Sequence, residues 1–264
     1  MRKLLRKTYN FLLQYGFDAK IFLNAIRTKK PNWFYSDLQE LKTQKGMDGT
    51  FKLGSMYHIL KDKTDEGGIM KGHYFHQDLF IAQLIYLYNP IKHLDIGSRT
   101  DGFVAHVASF REIELIDIRI IKSNAKNITY RQANLMELPD DLIDYCDSIS
   151  SLHAIEHFGL GRYGDPIDYF GYLKAINNIT IILQSGGSFY FSVPIGSQRI
   201  EFNAHRVFSV EYLISILNKN FVIRSFSYVD DKGDFHEKVE MSLDTIKTNF
   251  GCQYGCGIFF LIKK

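Results

Sequence analysis

An α/β fold built on a doubly wound, mostly parallel sheet of seven strands, with an N-terminal helical extension, is the class this sequence predicts. Three observations predict it. Strand and helix patterns alternate after Pro90, short polar turns follow three successive strands, and 264 residues at 45% hydrophobic composition can bury a substantial core.

The extension comes first. Residues 1 to about 45 read as helical, with a break at Lys29-Lys30-Pro31-Asn32, because proline disfavours helix in the residue before it. Residues 1–30 carry eight Lys or Arg against one acid, Asp18; this net +7 leaves about −4 for the rest of a chain whose formal charge is +3. With Leu4, Leu5, Phe11, Leu12 and Leu13 interleaved, this segment either packs an apolar stripe on its own domain or lies peripherally on an anionic membrane surface. From Gly46 to Gly72 the chain is rich in Gly, Lys and Asp, and Gly67-Gly68 marks a loop or hinge. The expected division is therefore an extension over 1–71 and a main domain over 72–264.

Residues 74–89 return to an apolar helical pattern that ends at Asn89-Pro90. Strands are then expected at 93–96, 113–116, 128–131, 148–152, 188–193, 221–228 and 257–262, and helices at 102–110, 167–184 and 209–218. The apolar run Leu79 to Tyr88 is half the length needed to span a bilayer and is interrupted by Gln83. The start is basic and then apolar but lacks a signal-peptide core and cleavage site. Cys146, Cys252 and Cys256 make an odd count without CxxC spacing, which suits a reducing compartment. A cytoplasmic protein, with the inner face of the membrane as a peripheral location, is expected, and nucleic acid is not an expected partner.

The first turn, in HLDIGSRTDGF, puts Asp95 and Gly97 at the carboxyl end of the first strand, where open α/β sheets bind ligands. Asp117 closes the second strand in IELID, placed to accept hydrogen bonds from two ribose hydroxyls. The third strand, in ITYRQANLMELP, finishes at Asn134, whose side chain suits an adenine edge while backbone groups near Leu135 read the ring. Three successive strand ends thus aim polar groups at one nucleoside. A nicotinamide site would need G-x-G-x-x-G at the first turn, and the chain does not supply it.

These motifs resemble class I S-adenosylmethionine-dependent methyltransferases. The resemblance covers roughly residues 72–264 and continues through DSISSLHAIEHFG, GGSFYFSVPIG and HRVFSVEYLISILNKNFVI, which look like the family's fourth strand, fifth strand, and later helix and sixth strand. It implies S-adenosyl-L-methionine as cofactor. The turn departs from the family's frequent Gly-x-Gly-x-Gly: Gly97 is followed by Ser98, Arg99, Thr100 and Asp101 before Gly102. Arg99 either pairs with the methionine carboxylate or pairs with Asp101 in a turn that binds nothing. The resemblance also implies that the segment KGHYFHQDLF folds over the cofactor, with Tyr74 or Gln77 reaching its methionine end; the alternative is an ordinary helix start.

His153, Glu156 and His157 spell H-x-x-E-H, an inverted zinc-protease signature that needs a helix. The glycine-rich continuation argues against one, so no metal is expected here. CQYGC likewise has no paired ligand set elsewhere in sequence and reads as packing near the last strand. In the methyltransferase resemblance this loop borders the methyl group, which makes His153 or His157 the base and Glu156 the group that touches the cofactor edge or orients His157. Arg162, Tyr163 and Asp165 would suit a sugar, and His205 and Arg206 are further acceptor contacts. The expected function is methyl transfer, as O-methylation, to a small polar or glycan-type hydroxyl acceptor. The alternative is a catalytically inactive scaffold of the same fold, associated with glycan assembly and binding through its basic N-terminus.

Overall fold

The computed structural model describes Tyr9, Asp18, residues 32–122 and residues 124–264. The basic stretch over 1–30, and with it the expected membrane contact, otherwise lies outside the described residues. The chain divides into two units, 1–69 and 70–264. In the first, helix α1 (Asn32–Lys45) has no buried residue; Lys63 pairs with Asp37 at 2.8 Å and stands over the Trp33 ring. No helix among the described residues is long and apolar enough to cross a membrane.

In the second unit, helix α2 (His73–Tyr88) buries Phe80, Ile81, Ala82, Leu84 and Ile85, and ends where Asn89 takes a left-handed conformation ahead of Pro90. Strands β1 (His93–Ile96), β2 (Ile113–Asp117), β3 (Ile128–Gln132), β4 (Cys146–Leu152) and β5 (Leu183–Ile195) pair in parallel. A two-stranded hairpin, β6 (Arg199–Glu201) with β7 (His205–Val207), was not foreseen in sequence. It is followed by β8 (Phe221–Val229), the two-residue β9 (Phe235–His236) and β10 (Gly255–Lys263). The main sheet has the order β3-β2-β1-β4-β5-β10-β8-β9, with β10 antiparallel to both β5 and β8. This is the doubly wound, mostly parallel sheet that the alternation predicts, with β9 added as an eighth edge strand. Strand order reverses between β1 and β4, which opens a crevice at their carboxyl ends.

Each face of the sheet carries its own core. On one side α4 (Gly171–Ile182) and α5 (Val210–Leu217) bury Ile176, Ile179, Leu213 and Leu217 against Phe189, Phe191 and Phe259. On the other, α2 packs with Phe103, Val104 and Val107. The helix expected over 102–110 is shorter: residues Thr100–Val104 form a wide π turn, closed by a Val104 N–H to Arg99 carbonyl bond, before α3 (Ala105–Ala108). The helix expected over 167–184 begins at Gly171, because residues 159–170 are loop. Ser209 caps α5 by accepting from the Tyr212 amide. The long polar stretch after β8 contains β9 and a short helix, α6 (Leu243–Lys247).

Candidate functional site

The crevice between β1 and β4 is a cleft partly open to solvent, and about 890 Å³ of space, open solvent included, lies within it. Its floor is the first turn. Gly97 has φ +69°, and a Cβ there would sit 3.1 Å from the Ala154 Cβ, so a bare backbone fits best. Gly97, Asp117, Asn134 and Leu135 all line the cleft, as do Arg99, Tyr74, His153, His157, Arg162, Tyr163 and Asp165. Apolar walls come from Ile96, Ile118, Met136 and Phe158, chosen by no sequence motif.

Other expected cofactor contacts turn away from it. Asp95 is fully buried and accepts from the Ser98 amide at 3.0 Å, the Ser98 hydroxyl at 2.7 Å and the Ser150 hydroxyl at 2.5 Å. Burial pushes its carboxyl up to about 7, against these three bonds. The Ser98 hydroxyl also accepts from the Leu152 amide at 3.1 Å, which ties the turn to β4. Asp95 and Ser98 therefore hold the floor in place without forming its surface. Gln77 also lies away from the cleft wall: it is buried, accepts from the Ser192 hydroxyl at 2.6 Å and donates to Asp78 at 3.1 Å, while Tyr74 of that pair lines the cleft.

Two of the cleft's charged side chains, Arg99 and Asp117, are ion-paired. Arg99 donates to Asp101 from Nε (3.1 Å) and Nη2 (2.9 Å), with both side chains more than half exposed, and its guanidinium lies 4.9 Å from the centre of the Tyr74 ring. Asp117 accepts from Arg119, a residue the sequence reading missed although it stands two positions away. Arg119 in turn lies against the Tyr163 ring. Asn134 accepts from the Met136 amide at 3.1 Å, and the Leu135 carbonyl accepts from the Asn178 amide group at 2.9 Å.

After β4 the chain makes a single tight turn over Ile155–His157, not a helix, with His153 at φ +50°. His153 Nδ1 meets the buried Glu156 carboxylate at 2.8 Å, and His157 Nε2 stands 3.6 Å from the same oxygen. Glu156 is 1% exposed and is not part of the cleft wall; burial would raise its carboxyl, but His153 and His157 outweigh this and hold it below its usual value. Burial would also lower the His153 imidazole, yet the neighbouring Cys256 sulfur and Glu156 carboxylate raise it overall. His157 differs: burial keeps it below the ordinary histidine value. Its Nδ1 lies 2.6 Å from the Ala204 carbonyl, which selects the Nδ1–H tautomer and leaves Nε2 with a lone pair.

The acceptor-side residues separate in the same way. Asp165 accepts from the amides of Gly159 (2.7 Å), Gly161 (3.3 Å) and Tyr163 (3.2 Å), so its oxygens shape the loop. Arg206 is buried on β7 and clamps backbone carbonyls, and His205 stands 3.1 Å from Glu201 with its ring against Tyr254; neither reaches the cleft wall.

A profile of the family described as Caenorhabditis protein of unknown function, DUF268, matches residues 106–250. No curated protein matches the chain. Among solved structures, the Burkholderia thailandensis 1,6-didemethyltoxoflavin-N1-methyltransferase, with bound 1,6-didemethyltoxoflavin and S-adenosylhomocysteine, is 14% identical with a TM-score of 0.52 and covers 90% of this chain and 92% of its own. The N-methyltransferase NodS of Bradyrhizobium japonicum WM9 is 13% identical with a TM-score of 0.50, covering 74% and 99%. The fold is that of the class I S-adenosylmethionine-dependent methyltransferases, and by sequence the chain belongs to the DUF268 family.

Proposed function

We propose that this protein is an S-adenosylmethionine-dependent methyltransferase that transfers the methyl group to a hydroxyl of a small polar or glycan-type acceptor. One observation carries the reading: Gly97, Asp117 and Asn134, from three successive strand ends, line one cleft. The donor set suits the cofactor. A carboxylate at Asp117 suits a ribose, the apolar walls at Ile118, Met136 and Phe158 suit a purine, and Arg99 offers a cation for an α-carboxylate. S-adenosylhomocysteine in the toxoflavin methyltransferase of the same fold supports that choice.

When bound, the cofactor supplies an electrophilic methyl group. The protein's part is to hold the acceptor oxygen in line with it and to remove the proton, and orientation is the larger contribution. His157 supports an oxygen acceptor, because a neutral imidazole with a free Nε2 can take a hydroxyl proton near pH 7. His153, held towards its protonated form, has less free base to offer near neutral pH. Arg162, which also donates to the Ala204 carbonyl at 2.9 Å, and Tyr163 are the residues left for acceptor recognition, since both Asp165 oxygens accept from loop amides.

A second reading, an inactive scaffold of the same fold, is favoured by the two ion pairs Arg99–Asp101 and Arg119–Asp117, which neutralise Arg99 and Asp117 without any ligand. Calorimetric titration with S-adenosylmethionine and S-adenosylhomocysteine decides between them. The enzyme reading expects saturable heat for both, and Arg99→Gly weakens each several-fold because the exposed Arg99–Asp101 pair costs little to exchange. No heat at millimolar ligand removes the methyltransferase reading, and indifference to Arg99→Gly removes the role given to that side chain.

A further inference from the structure

Three side chains that the chain keeps far apart converge where His153 meets the cleft wall. His73 at the start of α2, His153 at the end of β4 and Cys256 at the start of β10 bring one donor atom each to within 4.8 Å of the others. The two imidazoles stack with centroids 5.2 Å apart and planes 4° from parallel. Cys256 is fully buried and His153 nearly so.

The hydrogen bonding around the cluster is that of a ligand set. His153 Nδ1 is engaged by the Glu156 carboxylate at 2.8 Å, while its Nε2 is buried and has no hydrogen-bond partner. A buried ring nitrogen without a partner is costly, and a histidine oriented through one nitrogen by a carboxylate is the usual arrangement when the other nitrogen holds a metal. The His73 ring also lies against the Tyr254 ring, with centroids 5.5 Å apart. Cys256 Sγ neighbours the His153 ring and otherwise has only weak contacts, to the Gln77 carbonyl oxygen at 3.6 Å and the Gly257 carbonyl at 4.0 Å. His153 also keeps a left-handed backbone, φ +50°, uncommon for a residue with a side chain and consistent with a position its surroundings over-determine.

We propose that His73, His153 and Cys256 form a binding site for a borderline-soft divalent cation, zinc above all, with Glu156 orienting His153 from behind. One thiolate and two imidazoles suit zinc in softness and number, and leave one tetrahedral position for water. Binding replaces the Cys256 S–H bond with an S–metal bond and releases that proton to solvent. The ion ties α2, β4 and β10 together beside Tyr74, which lines the cleft. It also engages the lone pair of His153, leaving His157 as the base. The site stands independently of cofactor binding.

The test uses the full-length protein, stripped with a chelator and titrated with Co²⁺ and then Zn²⁺. The expected result is one cobalt per chain with a thiolate-to-cobalt charge-transfer band in the near ultraviolet, displaced by zinc, and a higher thermal midpoint with zinc. Cys256→Ser removes the band, His73→Asn lowers affinity at least about tenfold, and Glu156→Gln lowers it about 10- to 100-fold. Absence of a saturable thiolate band in the unmutated protein overturns the proposal whatever the variants do. So does a band that persists in Cys256→Ser, or affinity unchanged in a folded His73→Asn.

Discussion

The Asp117 carboxylate accepts three hydrogen bonds from Arg119: from the backbone amide at 2.8 Å, Nε at 3.0 Å and Nη2 at 2.7 Å. A carboxylate has about four acceptor positions, so three are taken before any ribose arrives. Under the proposed function, Asp117 must exchange guanidinium bonds for hydroxyl bonds when the cofactor enters.

Asp117→Ala is therefore expected to weaken S-adenosylhomocysteine binding at least about tenfold, or about 1.4 kcal/mol, each charge-assisted bond being worth about 1.5–3 kcal/mol before the loss of Arg119 contacts is offset. Calorimetry on the variant measures this. Unchanged affinity with a clear loss of unliganded stability would make Asp117 a structural partner of Arg119 and nothing more.

Arg206 holds the loop that carries His157. Its two terminal nitrogens donate to the carbonyls of Phe158 (2.6 Å), Tyr169 (3.1 Å), Glu156 (3.3 Å) and Asp168 (3.4 Å), and its guanidinium lies over Tyr172. Arg206→Met keeps most of the stem and strands these acceptors, so urea unfolding should show a loss of about 2–4 kcal/mol. A loss under about 0.5 kcal/mol would mean that water replaces the guanidinium freely and the clamp is not needed.

His93 and Asp95 give opposite pH dependences from one buried network, linked through Ser150: the His93 ring meets the Ser150 hydroxyl at 3.0 Å, and that hydroxyl donates to Asp95 at 2.5 Å. Burial lowers His93 from 6.5 to about 3, so the stability it brings is complete above pH 6.5 and is lost as pH falls towards 3. Burial raises Asp95 from 3.8 to about 7, so its share is complete below pH 3.8 and is lost as pH rises towards 7. Between about pH 4 and 6.5 the two slopes, each up to about 1.4 kcal/mol per pH unit, oppose one another. Chemical denaturation across this range should show stability rising less steeply with pH in His93→Gln than in the unmutated chain, and more steeply in Asp95→Asn. Parallel curves for all three proteins would show that neither group titrates differently on folding.

Much of this was legible in sequence because it depends on local pattern. Alternating apolar segments set the order of strands and helices, and the polar residue that closes a strand, Asp117, or follows it by two positions, Asn134, falls at the sheet's carboxyl edge whatever surrounds it. The π turn at Thr100–Val104 and the hairpin bearing His205 and Arg206 were not legible, since neither has a periodic signature.

Side-chain direction needed the tertiary structure. Tyr74 and Gln77 lie about 60° apart around one helix, and only packing against Ser192 turns Gln77 inward while Tyr74 meets the cleft. Asp95 and Ser98 read as cofactor contacts until β4 supplies Ser150 and Leu152 to bind them. The meeting of His73, His153 and Cys256 was beyond any spacing rule, because α2, β4 and β10 become neighbours only when the sheet is assembled. The sequence by itself determined which polar groups stand at strand ends; the folded chain decided which of them face the cleft and which face each other, because those directions depend on neighbours brought in from distant segments.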